Sequence, residues 1–436
     1  MELTFIGVIF VPLAIILLFL DIKYLFIATF ISSTFTATGV IKLVFLEEVI
    51  AAFYLFGGML IIKILYLIIR KKYKLEMKTV ANSLGFFVLV CGISIIYPLF
   101  FSKGVLVHRP SGIHENLFFS LQNITQFMYL LFAYLIYICT VTYYENSKVD
   151  EGRIINLFRI AMIIVISLGI IQMIIPNEIF NMLFRDNYGM LYSNYRMSSV
   201  NNEASFFALF ITPMMGFFLI NYIFKRKIID LIIVIVTLVL VKFHGSSSFI
   251  LGSLTIIGCF LIYGIINYKK VLAKFKSRNR KRDWIIYIAI GTCVIAIFLL
   301  KDYLTMFLGK ISGSGESGSI RTRMFIENIK IFYKFFITGV GFGSVRSTDL
   351  LSTWLVSVGL SGIIPYIYYN IKVLKKLYFD VERTVSFKYI VLIIVTNTIM
   401  FISVPEPFYG YIWIWYGTVA YLVSKKNSGL KKSSIS

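Results

Sequence analysis

An all-α, polytopic integral membrane protein is the fold class that this sequence predicts, and three observations predict it. Hydrophobic residues fill 58% of the 436 positions and charged residues only 15%, a composition far from that of soluble domains. A hydrocarbon core roughly 30 Å thick needs about 20 apolar residues per helix, and the chain supplies such runs for about 12 or 13 transmembrane helices. The basic clusters fall on every second break between the runs, which is how topology signals are distributed. No soluble domain of useful size fits between the runs, so residues 1–436 read as a single transmembrane domain.

Taken in order, the predicted spans are 3–20, 24–42, 49–69, 80–100, 117–142, 154–175, 205–224, 229–242, 249–268, 285–300, 351–371, 389–404 and 410–424. The first run has neither a basic leader nor a small-residue cleavage site and reads as a retained helix. Basic breaks follow at Arg70 to Lys74, Lys148 to Arg153, Lys225 to Lys227, Lys269 to Arg282, Lys372 to Lys388 and the tail from Lys425. Their alternation places them, and the C-terminus, in the cytoplasm together. The segments between them are then external: Ser102 to Asn116, the loop 176–204, His244 to Ser248, the long loop 301–350, and Val404 to Gly410. Parity puts the N-terminus outside as well if all three early spans cross. Asp230 and Lys242 read as marks of the ends of the short run 229–242.

The net charge of +22 does not point to nucleic acid. The cations sit at the ends of apolar runs, where they face the anionic headgroups of the lipid bilayer. Cys91, Cys139, Cys259 and Cys293 lie inside apolar runs and read as small buried hydrophobes. His108, His114 and His244 share no metal-ligand spacing, so neither a metal nor any other cofactor is expected. No nucleotide-binding loop, nucleophile elbow or zinc-protease pattern is present.

The long loop carries the densest signals. Its glycine and serine run, Ser312 to Ser319, is expected to be a mobile loop because Gly and Ser disfavour helix. Beyond it Ile320, Met324, Phe325, Ile329, Phe332 and Phe336 recur at three- and four-residue steps, with Arg321, Arg323, Glu327, Lys330 and Lys334 opposite, which predicts an amphipathic helix. Gly339, Gly341 and Gly343 break that pattern and permit a tight turn or close backbone approach to a ligand, Gly341 and Gly343 being the candidates for substrate contact.

Two external regions hold candidate chemistry. Tyr195-Arg196-Met197-Ser198-Ser199-Val200-Asn201-Asn202-Glu203 sets an arginine and a carboxylate just before a membrane helix, where ionisable groups are costly unless paired or functional. Alternatively Arg196 is an interfacial anchor and Glu203 a helix-start acid favoured by the macrodipole. Arg321, Arg323 and Arg346 could join Arg196 in a clamp on a diphosphate, because the guanidinium fork matches phosphate oxygens and stays charged. Surface pairs along one helix face are the competing reading for Arg323, Glu327, Lys330 and Lys334.

The order of these motifs resembles the bacterial O-antigen ligase and polysaccharide polymerase family. The features that carry the resemblance are Arg196 to Ser205, Gly245-Ser-Ser-Ser-Phe-Ile-Leu-Gly252, Arg321, Gly339-Val-Gly-Phe-Gly343 and Gly359-Leu-Ser-Gly362. The resemblance implies a membrane glycosyltransferase acting on polyprenyl-diphosphate-linked glycans at the outer face. Thr348-Asp349 stands where ligases of that family carry His-Asn, which moves the expectation toward a polymerase of capsule, exopolysaccharide or O-antigen repeat units. The resemblance then gives Arg196 and Arg321, with Arg323, to the leaving diphosphate and Glu203 or Asp349 to the acceptor hydroxyl. Tyr195, Arg346, Gly341 and Gly343 would bind substrate, and Tyr192, Tyr195 and Trp354 could stack on sugars. A flippase and a chain-length regulator of the same pathway are the expected protein partners. A ligase, or a polysaccharide flippase or other transporter, is the alternative.

Overall fold

The computed structural model describes residues 2–43, 48–75, 83–101, 104–108, 114–185, 196–266 and 316–433. In chain order its helices are α1 (Phe5–Phe19), α2 (Ile22–Ser33), α3 (Ala52–Ile69), α4 (Ser83–Ser94), the single turn α5 (Pro98–Phe101), α6 (Leu121–Ser147), α7 (Glu151–Ile174), α8 (Asn177–Phe184), α9 (Ala204–Lys225), α10 (Ile228–His244), α11 (Ser247–Ile266), α12 (Glu316–Lys334), α13 (Leu350–Asp380), α14 (Arg383–Ile402) and α15 (Gly410–Ser433). Five short strands join them: β1 (Glu2–Leu3), β2 (Gly39–Leu43), β3 (Glu48–Ala51), β4 (Leu106–His108) and β5 (His114–Asn116). Among the described residues α3, α6, α7, α9, α11, α13 and α14 are long and apolar enough to cross a bilayer, and α1, α2 and α4 are apolar but shorter. The chain is an all-α, multi-pass membrane protein. The predicted span 285–300 lies outside the described residues.

Helix α9 is the axis of the bundle. Its side chains are buried without interruption from Phe207 to Phe218, as befits a helix that is apolar on every side. It packs against α10, α11 and α14. A Cβ on Gly252 of α11 would stand 2.6 Å from Thr212 of α9, so the glycine sets how closely the two backbones approach. Such small-residue contacts hold membrane helices together where lipid is as apolar as the partner helix.

Two sequence expectations need correction. The predicted span 24–42 is helical only to Ser33: the hydroxyls of Ser32, Ser33 and Thr34 each bond back to a carbonyl three residues earlier. The rest of that run turns and becomes β2, the centre of an antiparallel sheet in the order β1-β2-β3. β-Branched residues such as Val40 and Ile41 suit a strand, and for a short apolar run hydropathy alone does not separate strand from helix. The second correction concerns the glycine and serine run, whose part from Glu316 onward is the first turn of α12. The first N–H groups of any helix lack internal partners, and an acid is favoured there, so Glu-Ser-Gly-Ser is tolerated at that end. Residues 312–315 lie outside the described residues.

Helix α13 is broken. Gly359 has φ +58° and ψ −161° in mid-helix, and the segment from Phe336 to Gly341 lies against the break. The N–H groups of Leu360 and Ser361 bond to Phe336 and Ile337, while the carbonyls of Val356 and Ser357 accept from Val340 and Gly341, at 2.8–3.0 Å. Backbone groups freed at membrane depth must be satisfied by protein, and this glycine-rich segment does so. A Cβ on Gly339 would meet Ser357 at 2.5 Å, and one on Gly359 would meet the Ile337 carbonyl at 2.4 Å. Only glycine fits at either place.

The two ends of the bundle differ. At one end the basic segments meet: Lys74 bonds to Asn146, Tyr73 to Ser147, Tyr421 to the Val149 carbonyl, and Lys388 pairs with Glu151. At the other end Ala37 bonds to Val200, Thr38 to Phe184, and Arg346 to His108. These are segments that the alternation rule predicts to be external, together with the turn that follows α2.

Candidate functional site

A cavity of about 340 Å³ opens at this second end. Six parts of the chain wall it: the turn after α2, β3 with the start of α3, the start of α6, the entry to α9, the glycine turn with the start of α13, and the α14–α15 loop. Its aromatic lining includes Tyr54, Tyr129, Phe342, Trp354, Phe408 and Tyr409, and its polar lining Thr36, Gln126, Asn202, Arg346 and Glu406. A concavity lined by aromatic side chains with a few convergent polar groups is the usual form of a small-ligand site.

Arg346 and Glu406 are its charged pair, joined through Nη2 and Oε1. The Arg346 side chain is 42% exposed and that of Glu406 only 14%. Burial raises the Glu406 carboxyl above its ordinary pKa, the Arg346 charge pulls it partly back, and the nearby Glu203 charge pushes it up again. Glu406 lies in the loop Val404-Pro-Glu406-Pro-Phe-Tyr, outside the membrane-spanning helices. Sequence reading passed it over, although a carboxylate between two prolines in a short break between apolar runs is a visible signal.

The glycine turn is positioned by its neighbours. Gly341 has φ +117° and Gly343 φ +76°. A Cβ on Gly341 would stand 2.5 Å from the Pro98 ring and one on Gly343 2.9 Å from Asn123 Cα. The Asn123 amide donates to the Phe342 carbonyl at 2.7 Å and to Ser344 Oγ at 2.6 Å. Close approach is therefore required here, but by the α4–α5 turn and α6. Gly343 does line the cavity; Gly341 is packed behind it.

Asp349 is the N-cap of α13. Its carboxylate accepts from the Ser352 N–H and Oγ, both at 2.7 Å, and from Ser347 Oγ at 3.0 Å. Those bonds occupy it as a cap. Asp349 does not line the cavity, although Arg346 before it and Leu350 after it do.

The segment 196–203 is clamped from behind. Gln172 accepts from the N–H groups of Ser198 and Ser199 at 3.0 and 2.7 Å, and Arg185 donates through Nε to the Ser199 carbonyl at 2.8 Å. Burial pulls the Arg185 guanidinium down to about 10. Met197 through Asn201 are buried, while Arg196, Asn202 and Glu203 are exposed. Glu203 stands at the N-cap of α9 and accepts from Ser205 Oγ at 3.1 Å. The Arg196 side chain makes no ion pair among the described residues. Tyr192 and Tyr195 lie outside them.

The structure thus brings Arg346 to the cavity and sets Glu203 within electrostatic reach of Glu406. Arg196, Arg321 and Arg323 do not line the cavity. Arg323 stands 3.8 Å from Glu327 one helical turn on, the surface pair that its spacing allows. Glu327 in turn meets His108 Nε2 at 2.5 Å, and this hydrogen bond is the chief cause that lowers the Glu327 carboxyl below its ordinary value.

Across the bundle, Asp230 does not simply mark a span end. It accepts from Arg159 at 2.9 Å and from the Asn221 amide at 2.6 Å, and Asn221 accepts from Lys388, which also pairs with Glu151. Asp230 and Lys388 are fully buried. No family model matches this chain, and no curated protein matches it.

Proposed function

We propose that the protein is a membrane glycosyltransferase that polymerises polyprenyl-diphosphate-linked repeat units of a capsule, exopolysaccharide or O-antigen at the outer face of the cytoplasmic membrane. The observation that carries this reading is the Arg346–Glu406 pair inside an aromatic-lined cavity, at the end where the predicted external segments gather. Aromatic faces such as Tyr54 and Tyr129 suit sugar rings, whereas Trp354, expected to stack on a sugar, is buried against Phe87 and Tyr366; apolar helices below suit a polyprenyl tail. Nη2 of Arg346 is engaged by Glu406, and the remaining donors of the guanidinium fork suit diphosphate oxygens.

In the reaction, a hydroxyl of one lipid-linked unit attacks the anomeric carbon of the growing chain on its carrier. The new glycosidic C–O bond forms as the bond to the diphosphate breaks, and the leaving diphosphate takes the electron pair. Arg346 stabilises that developing charge, a role in which fixed donors are most effective. Glu406, with its raised pKa, takes the hydroxyl proton, and the nearby Glu203 is a second acceptor for it. Arg196, Arg321 and Arg323 contribute positive field at the same end, which draws the anionic donor in.

A discontinuous helix is the feature that would favour a transporter, and α13 has one. Its freed backbone groups are already bonded to Phe336 through Gly341, so they are not offered to an ion. The test supplies purified protein with lipid-linked repeat units. Chain growth with release of polyprenyl diphosphate is expected. Transfer of preformed glycan to a different acceptor would replace this reading with a ligase, and movement of substrate across vesicles without chain growth would replace it with a flippase.

A further inference from the structure

Two of the three histidines, at positions 108 and 114, are brought together by strand register. In the β4–β5 hairpin His108 is paired directly with His114, and residues paired in this way project from the same face of the ladder. Their rings stack with centroids 4.4 Å apart and planes 16° from parallel. Glu327 reaches them from α12, 219 residues along the chain from His108. One donor atom from each of the three side chains lies within 4.8 Å of the others.

We propose that His108, His114 and Glu327 form a zinc site that fastens the β4–β5 hairpin to the amphipathic helix α12. Two imidazoles and one carboxylate are a donor set that zinc takes, whereas magnesium and calcium take oxygen donors. Ligand atoms about 2.0–2.2 Å from a tetrahedral zinc stand roughly 3.3–3.5 Å from one another. The three donors are thus close to ligating positions, and the His108–Glu327 hydrogen bond gives way as its shared proton is released to solvent.

His114 is the discriminating residue. It is exposed, and among the described residues its ring makes no hydrogen bond, so a plain His108–Glu327 latch has no need of it. A zinc site does. Three protein ligands leave one coordination position open, for water or for an anionic oxygen.

The experiment uses full-length protein without a histidine tag, purified free of metal and titrated with zinc, with cobalt as the spectroscopic probe. One zinc per chain and the intense visible bands of four-coordinate cobalt are expected, together with slowed amide exchange in α12 on zinc addition. His114→Ala and Glu327→Gln, each checked by thermal midpoint and monodispersity, should weaken binding by at least about 100-fold, more than loss of an outer-sphere partner does. Wild-type protein that takes up no stoichiometric zinc would overturn the proposal. So would His114→Ala protein that binds zinc as wild type does.

Discussion

Two arginine–carboxylate pairs stand at opposite ends of this bundle, and they differ in what surrounds them. At the basic end Arg159 and Asp230 belong to a closed set with Asn221, Lys388 and Glu151, with Asp230 and Lys388 wholly buried. That set ties α7, α9, α10 and α14 together, and both Asp230 oxygens are engaged. At the cavity end Arg346 and Glu406 have each other, one wall of protein and about 340 Å³ of open space. A carboxylate with both oxygens engaged fixes helices. An unsaturated pair beside a void has donors and a raised carboxyl left for a ligand, so burial of charge alone does not separate structural from functional sites; spare bonding capacity does.

The largest effect that tests this contrast is at the closed end. Asp230→Ala leaves Arg159 buried without its anion, which costs on the order of 3–5 kcal/mol, and should show as a marked fall in the thermal midpoint of the purified protein. Polymerisation per folded molecule should stay near wild type. If stability were untouched and activity lost, the closed set would itself be the working site.

Next comes the open pair. Arg346→Ala and Glu406→Gln should each lower the polymerisation rate per folded molecule by about 30- to 1000-fold, the equivalent of roughly 2–4 kcal/mol in the barrier. The wild-type rate should rise with pH through one ionisation above the ordinary carboxylate range, because Glu406 must lose its proton to act as base. Linkage gives stability the opposite trend. A carboxyl raised on folding contributes stability that is full below its unfolded pKa, about 4.3, and is lost as pH climbs through the folded value. Glu406→Gln should abolish both dependences, and a pH profile unchanged in that variant would remove Glu406 from the mechanism.

A smaller effect is expected at Asp349. Asp349→Ala removes the cap of α13 and should cost about 0.5–2 kcal/mol of stability, while Asp349→Asn, which keeps an acceptor for the Ser352 N–H, should recover most of it. Polymerisation should follow folded protein in both. A rate collapse in Asp349→Asn at full stability would return the base to this position.

The smallest is Arg323→Ala. Its 3.8 Å pair with Glu327 on an exposed helix face is worth no more than about 0.5 kcal/mol, so the thermal midpoint should hardly move. A large rate loss at low salt and at high salt alike would show that Arg323 touches substrate and does more than contribute field.

Sequence by itself determined the class of the molecule, nearly every helix position, the amphipathic α12 and the segregation of basic segments to one end. These follow from hydropathy and charge within windows of 10 to 25 residues, so they are local properties and can be read without knowing what packs on what. The segment 196–203 was legible for the same reason, as ionisable groups beside an apolar run. Tertiary structure alone decided the rest. Strand β2 emerged from a helix-like run because β1 and β3 were available to pair with it. Asp349 became a cap and Gly341 a contact for Pro98, although isolated motifs allowed both to be substrate groups. Arg346 found Glu406 60 positions away, and His108 found Glu327 219 positions away. Such partnerships depend on which helices neighbour one another, and a hydrophobic pattern, which labels each helix only as apolar, does not specify its neighbours.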